Sequence, residues 1–589
     1  MSPYQVIVLA TPVFFLLIGI EFAYGLAKGR NTYRLHDAIT SIGLGMLSQV
    51  TQVFTKLLRI GIYAAAYEYV AVWHNDAFWL SWYGWIIALL FYDLCYYWLH
   101  RLGHESAVLW AAHVVHHQSQ DYNLSTALRQ TSSGVALGWL FYVPMAIAGV
   151  PPLVFAVVSL IDLLYQFWVH TEHVPKLGWF DRWFCSPSNH RVHHAVNDRY
   201  LDRNYGGVLI VWDRIFGSFE EETEKCVYGT RSPLGSWDPL WANAEVYWVL
   251  AKDSWHARNW MDKLRVWIKP PGWRPADVAA RFPKEPFDIA KVQRFEPPLT
   301  KALAWFALVQ FTAMLAGVVV FLWNAEGLPL ADAAVWVLAQ SVVLWAIGAA
   351  MQGRVTMLEA FMIEVAALAT ATANATTVAG MADIFTAIKP LVMALAIVFV
   401  VLRGQRTQLQ WPLVDALAFS MIGDMLLPGR FIPGLVSFLI AHLCYIALFK
   451  RDVPWFASRK ALACTLGLAA AMYAVLFPNL PLPLKVAVAC YAVVIACMAA
   501  QAIGRAAVLR NSNGSENATG VAIGACIFML SDSILAIDKF AVHLPMAEFM
   551  VLATYYTAQI VIVHNAVRGA APASYSNNSP ALFGGVTPR

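Results

Sequence analysis

Apolar residues fall in runs long enough to cross a bilayer core of about 30 Å, with few polar positions between them. The first run is YQVIVLATPVFFLLIGIEFAYGLA and a late one is EFMVLATYYTAQIVIVHNAV. The pattern predicts helices over about 5–27, 40–70 and 77–99, then a hairpin over about 134–169 that turns at Pro151 and Pro152. Runs resume at about 302–323 and 331–351, and from about 355 they are nearly continuous to about 567. About thirteen runs can be counted, some short enough to be re-entrant. The first lacks a basic leader and an A-x-A-like cleavage site, which predicts a retained helix rather than a signal peptide. The expected fold is all-α: a polytopic integral membrane protein built as a helical bundle.

One stretch breaks the pattern. Between Thr171 and Lys301 the chain is polar, without spanning character, and rich in Lys and Arg, so the positive-inside rule places it in the cytoplasm. Its segment WIKPPGWRPAD predicts an extended chain at the membrane surface, where indole rings favour the headgroup region. The final APASYSNNSPALFGGVTPR predicts a disordered tail.

Composition agrees with the pattern. The 589 residues are 59% hydrophobic and 13% charged, against about 25% charged in soluble proteins. The net charge of +4 is small and the basic residues are interspersed with acidic ones, which argues against nucleic acid as a partner. Eight cysteines are scattered with no CxxC pair, against both a disulfide framework and a zinc ribbon.

Histidine changes the picture. Ten of the sixteen lie in the 95 residues from His100 to His194, where even spacing would put about three. They form HRLGHE (His100, His104), HVVHH (His113, His116, His117), HTEH (His170, Glu172, His173) and NHRVHH (His190, His193, His194). Residues three and four apart share a helix face, so each cluster is expected to aim its imidazoles at one point. His100 closes one apolar run and His170 another, which would assemble the clusters beyond the same membrane face. Ten imidazoles exceed the four to six positions of one ion, so two metals are expected. Zinc would satisfy the ligands but has no redox chemistry, whereas iron with an open position activates oxygen. Asp93, Glu105, Asp121, Glu172 and Asp198 are candidates to accept the outer imidazole N–H groups, Glu172 the best placed of them. Tyr122, Asn123, Thr126, Arg129 and Gln130 are candidates to line a headgroup channel.

At these residues the chain resembles the fatty acid hydroxylase/sterol desaturase superfamily, with its HxxxH, HxxHH and later HxxHH boxes, and within it the alkylglycerol monooxygenases. The stretches WAAHVVHHQSQDYNLSTALRQ, LLYQFWVHTEHVPKLG and SPSNHRVHHAVNDRYLDRNYGGVLIVWDRIFGSFEEE carry the likeness. It covers about the first 370 residues and is most specific over 90–230. It implies ligand roles for His100, His104, His113, His116, His117, His170, His190, His193 and His194. His173 departs from the family pattern, and Asn189 stands where a histidine is expected. The resemblance also implies two iron ions, molecular oxygen as co-substrate, and tetrahydrobiopterin or another electron donor or reductase. The implied chemistry is hydroxylation next to the ether oxygen of an alkylglycerol drawn from the bilayer, releasing a fatty aldehyde.

Beyond about residue 372 there is no ligand grouping. Ionisable residues in apolar runs, expensive in a membrane and functional by default, take its place. They are Lys389, Asp424, Asp532 and Asp538, with His442 and Tyr445 in FLIAHLCYIALF. Through its KP, GD and SDS signatures this part resembles the YhhN family of membrane lysoplasmalogenases. That implies hydrolysis of a vinyl ether, with Asp424 and Asp532 as an acid/base pair and Lys389 as their charge partner. The expected domains are 1–371, 372–567 and a tail at 568–589. The expected location is the cell inner membrane or the endoplasmic reticulum, with the metal site on the cytoplasmic side. Two alternatives compete: a sterol, fatty acyl or carotenoid hydroxylase or desaturase with a non-catalytic membrane domain, and a metal transporter or sensor.

Overall fold

The computed structural model describes residues 3–56, 60–374, 381–404, 411–451, 453–510 and 515–568. The tail expected at 568–589 lies outside them from residue 569 onward. Helices dominate. Among the described residues the only β pairings are two isolated bridges, Phe184 with Leu209 and Ala195 with Tyr228.

The chain divides into two compact units, Met1–Ala360 and Phe361–Arg589. The division falls inside the helix Met357–Asn374, which Thr356 and Glu359 open with a reciprocal cap. Among the described residues nine helices are long and apolar enough to cross a bilayer, fewer than the roughly thirteen apolar runs of the sequence. The difference has local causes. Of the run at 40–70, the described helices are Leu35–Lys56 and Ile62–Val70, neither of them among the nine. Trp82–Glu105 carries Asp93, His100, Arg101, His104 and Glu105, so its second half is not bilayer-like. Pro152–Trp168 is short.

In the first unit, helices Leu35–Lys56, Lys301–Asn324 and Leu330–Met351 bury a core around Met46, Phe311, Met314, Leu344 and Ile347. A second core joins Trp82–Glu105 to Pro152–Trp168 through Tyr92 and Phe155, 5.8 Å apart, with Tyr142 stacked on Tyr92 at 4.7 Å and Tyr63 on Phe155 at 3.9 Å. The polar stretch after residue 171 folds into short helices, including Pro187–His194, Val211–Phe216, Pro239–His256 and Trp260–Ile268. The segment expected to lie extended at the membrane surface is instead compact. Lys269 ends a helix, Trp273 N–H turns back to the Pro270 carbonyl, and Trp267 and Trp273 pack on Ala107, Ala111, Leu250 and Val266.

In the second unit, helices from Met381–Gly404 to Ala547–Arg568 pack mainly on their neighbours in sequence, and those two pack on each other. Small residues permit close approach: a Cβ at Gly524 would lie 2.7 Å from Ile562 Cγ1 and one at Gly423 2.6 Å from the Phe438 ring.

Candidate functional site

The helix Pro187–His194 shows what the first unit is built around. Its sequence is PSNHRVHH, and all eight residues are buried, although only Pro187 and Val192 are apolar. Ser186 caps it and Pro187 occupies its first turn. Burying so polar a helix is costly unless its groups are satisfied. The histidines meet those of three other segments to form two groups. His100, His104, His113, His117 and His193 make one; His116, His170, His190 and His194 make the other. Within each group one nitrogen per residue lies within 4.8 Å of all the others. The groups adjoin, His117 stacking on His194 at 4.4 Å.

This sorting differs from the expectation that each cluster aims at one point. His116 and His117 are adjacent on one helical turn and diverge by about 100°, so HVVHH serves both groups. Likewise His190 and His194, one turn apart, serve one group and His193 the other.

Hydrogen bonds decide the tautomers. His100 Nδ1 is 2.8 Å from the Tyr205 carbonyl, His116 Nδ1 3.0 Å from that of Arg129, His170 Nδ1 2.8 Å from that of Gln166 and His193 Nδ1 3.0 Å from that of Arg203. A carbonyl only accepts, so each Nδ1 carries the proton and each Nε2 presents a lone pair. Yet His116 Nε2 faces His170 Nε2 at 3.1 Å. Two acceptors at hydrogen-bond distance repel unless something positive lies between them. Double protonation does not supply it. Burial, reinforced by the Arg129 guanidinium, holds His116 at about 4, and burial with the adjoining rings keeps His117, His190, His193 and His194 well below the usual imidazole range. Nε2 of His104, His193 and His194 is buried without a hydrogen-bond partner. Converging neutral nitrogens, with the opposite N–H fixed on a carbonyl, fit metal ions.

The outer partners of four of these rings are backbone carbonyls, and among the described residues the carboxylate within ion-pair distance of a ring nitrogen of either group is Asp202, 3.4 Å from His104 Nδ1. Sequence reasoning missed the loop YLDRNYGG, which supplies two of the four carbonyls and Asp202. Asp202 (φ 56°) and Asn204 (φ 57°) adopt left-handed backbone, which Asp and Asn tolerate best. The residue after each, Arg203 and Tyr205, presents its carbonyl to a histidine. Asp213 accepts Tyr205 N–H, Gly206 N–H and the Ser218 hydroxyl, each at 2.7 Å, and burial pushes its carboxyl up to about 6.

The expected acids do other work. Asp93 accepts Val208 N–H, Leu209 N–H and Trp212 Nε1–H, bracing the same loop. Glu105 pairs with Arg101, Asp121 with Arg34 and Asp198 with Arg231. Glu172 is half-buried and in neither group; burial pushes its carboxyl up. His173 also lies in neither group: its ring meets Tyr24 edge-on at 5.3 Å, because the chain turns away after His170. The residues expected to line a channel are framework. Tyr122 O–H donates to the Val169 carbonyl, Asn123 and Thr126 cap the helix Leu124–Ala127, Gln130 bonds the Ala127 carbonyl, and Arg129, 1% exposed, donates to the Val115 carbonyl.

The second unit holds a different site. A largely apolar cavity has Lys389, Asp424, Tyr491, Asp532 and Tyr555 in its lining. Lys389 Nζ lies 3.7 Å from Asp424 Oδ1, and Tyr555 O–H donates to Asp424 Oδ2 at 2.8 Å. Asp532 has other partners, Tyr491 and His442. Tyr445 and Asp538, singled out in the sequence, do not join: Tyr445 bonds Gln559, and Asp538 pairs with His543 and Leu544 N–H. Tyr491 and Tyr555 had no sequence signal among 23 tyrosines.

Comparison with known proteins gives the same partition. A fatty acid hydroxylase model matches residues 85–218 and the YhhN family model matches 384–566. Human alkylglycerol monooxygenase is 39% identical over 313 residues, 52% of this chain and 69% of the relative. The zebrafish (Danio rerio) enzyme of that name is 41% identical over 272 residues, 45% and 59%. Human lysoplasmalogenase TMEM86B is 33% identical over 176 residues, 29% and 68%. No solved structure matches. The chain is a multi-pass integral membrane protein, and it belongs through its first part to the fatty acid hydroxylase family, among the relatives of alkylglycerol monooxygenase, and through its last part to the YhhN family of lysoplasmalogenases.

Proposed function

We propose that residues 1–371 form a lipid monooxygenase that holds two iron ions and cleaves the ether bond of alkylglycerols, and that residues 372–567 hydrolyse the vinyl ether of lysoplasmalogens. The observation that carries the first reading is the pair of opposed lone pairs, His116 Nε2 against His170 Nε2, inside two groups of neutral imidazoles. Bound iron would supply oxygen activation and hydroxylation of the carbon next to the ether oxygen, with electrons from tetrahydrobiopterin or another donor. The chain's own residues do the rest. Nine histidines hold the ions, and the carbonyls of Arg129, Gln166, Arg203 and Tyr205 fix ring orientation. Trp110, Tyr122 and Tyr205 pack their rings on the histidines and exclude water. The hydroxylated ether is a hemiacetal and falls apart to a fatty aldehyde and glycerol.

The names of the relatives support alkylglycerols over sterols as substrate. For the second site, two carboxylates with unlike neighbours in an apolar cavity suit acid/base hydrolysis of a lipid. The Lys- and Arg-rich stretch 171–301 supports a metal site on the cytoplasmic face of the inner membrane or the endoplasmic reticulum. Metal analysis of the purified full chain should give about two iron equivalents, and aldehyde should appear from an alkylglycerol but no product from a sterol. Sterol oxidation without ether cleavage would overturn the reading.

A further inference from the structure

The two carboxylates of the second unit are not equivalent, and the reason lies in residues the hydrolase reading does not use. Asp424 faces a cation, Lys389 Nζ, at 3.7 Å, whose charge opposes the larger effect of burial on its carboxyl. Among the described residues Asp532 is within ion-pair distance of no Lys or Arg. Its Oδ2 accepts the Tyr491 hydroxyl at 2.5 Å and faces His442 Nε2 at 3.3 Å, while Tyr491 and His442 are themselves 2.9 Å apart. The three come from three helices, Phe431–Phe449, Leu482–Val508 and Ser515–Phe540, so tertiary packing holds the array together.

His442 is fully buried against Phe528, and its Nδ1 has no hydrogen-bond partner. A proton on Nδ1 would be an unpaired buried donor, and a doubly protonated ring an incompletely paired buried cation. The ring's donor is therefore Nε2–H, shared between Tyr491 Oη and Asp532 Oδ2. Both donors thus act on one carboxyl oxygen. With Oδ2 occupied as an acceptor, a proton on the carboxyl sits on Oδ1, the oxygen left to the cavity that Asp532 lines.

We infer that His442 and Tyr491 are positioning residues that hold Asp532 Oδ2 and so orient Oδ1 to deliver a proton into this cavity, leaving Lys389-paired Asp424 as the base. The inference rests on the vinyl-ether hydrolase reading. The Asp532 carboxyl gives its proton to the outer carbon of the C=C bond, whose π electrons form the new C–H bond. The carbon bonded to oxygen becomes an oxocarbenium ion. Water adds there and loses a proton to the Asp424 carboxylate. The hemiacetal breaks its C–O bond, its hydroxyl proton is lost, and the leaving oxygen is protonated, giving aldehyde and alcohol. One water is consumed and no oxidant or reductant is needed.

The test uses the full chain in detergent with a 1-alkenyl-glycerophosphocholine as substrate and aldehyde release as readout. Tyr491→Phe and His442→Gln should each lower kcat by about 10-fold with KM changed by less than about 2-fold, because they act on proton delivery rather than on lipid binding. Asp424→Asn and Asp532→Asn should both lose about 100-fold in kcat. Added formate should restore Asp424→Asn, since a small anion can replace the missing base, and should not restore Asp532→Asn. Unchanged unfolding temperatures for Tyr491→Phe and Asp424→Asn separate these effects from misfolding. Wild-type kcat in both Tyr491→Phe and His442→Gln, or formate rescue of Asp532→Asn alone, would overturn the inference. A wild-type chain that releases no aldehyde would instead overturn the hydrolase reading beneath it.

Discussion

The two sites solve the same problem, polar chemistry inside a lipid-facing protein, with opposite materials. In the first unit nine histidines come from four short segments, two of which are helices of four and eight residues, held by a loop. In the second, single residues on long helices reach one cavity. The difference teaches that a metal site needs many ligands close together, which local sequence can supply, whereas an acid/base site needs few groups in unlike surroundings. Such surroundings are a property of packing.

The comparison can be broken by removing one site at a time. The largest effect is expected from His193→Ala, which should abolish alkylglycerol turnover by at least about 100-fold and lower bound metal. Vinyl-ether hydrolysis should stay within about 2-fold, because the substituted ligand belongs to the other unit. Metal analysis and both aldehyde assays on one preparation check it. Asp532→Asn should do the reverse, costing about 100-fold in vinyl-ether turnover with metal content unaltered. If either variant silenced both activities, the two-site division would fail.

Removing the metal with a chelator should separate the activities without any substitution: alkylglycerol cleavage is lost and returns with added Fe²⁺, while vinyl-ether cleavage persists. Smaller effects should follow from the framework. Asp213→Ala removes the acceptor of Tyr205 and Gly206 N–H and so loosens the carbonyl that orients His100. Metal affinity should fall by about 10-fold, read by competition with a chelator. Smallest of all, His173→Ala should leave metal content and alkylglycerol turnover within about 2-fold, since its ring packs on Tyr24. A marked loss of metal would return His173 to the ligand set.

Much of the first site was legible because its residues cluster along the chain, and ten histidines in a short stretch of a membrane protein have few other uses. Which ion each would face was not legible. Neighbours such as His116 and His117 diverge, and a partner like His170, 54 residues from His116, is found only by folding. The acids were misassigned for a related reason. Asp93 stands two helical turns before His100, a spacing that suits a shared face, but it meets the loop at 208–212 instead. In the second unit, Lys389, Asp424 and Asp532 stood out because charge in an apolar run is costly. Tyr491 did not, because a tyrosine in such a run is ordinary.

The sequence by itself determined the helical membrane architecture, the metal-binding character of the first part and the ionisable residues of the second, because hydropathy period and ligand clustering are local properties of the chain. Only the tertiary structure decided the two histidine groups, the carbonyls that set their tautomers and the partners that make Asp424 and Asp532 unlike. Those depend on contacts between distant residues, and a lone pair or a proton is placed by the atom it meets rather than by its neighbours in sequence.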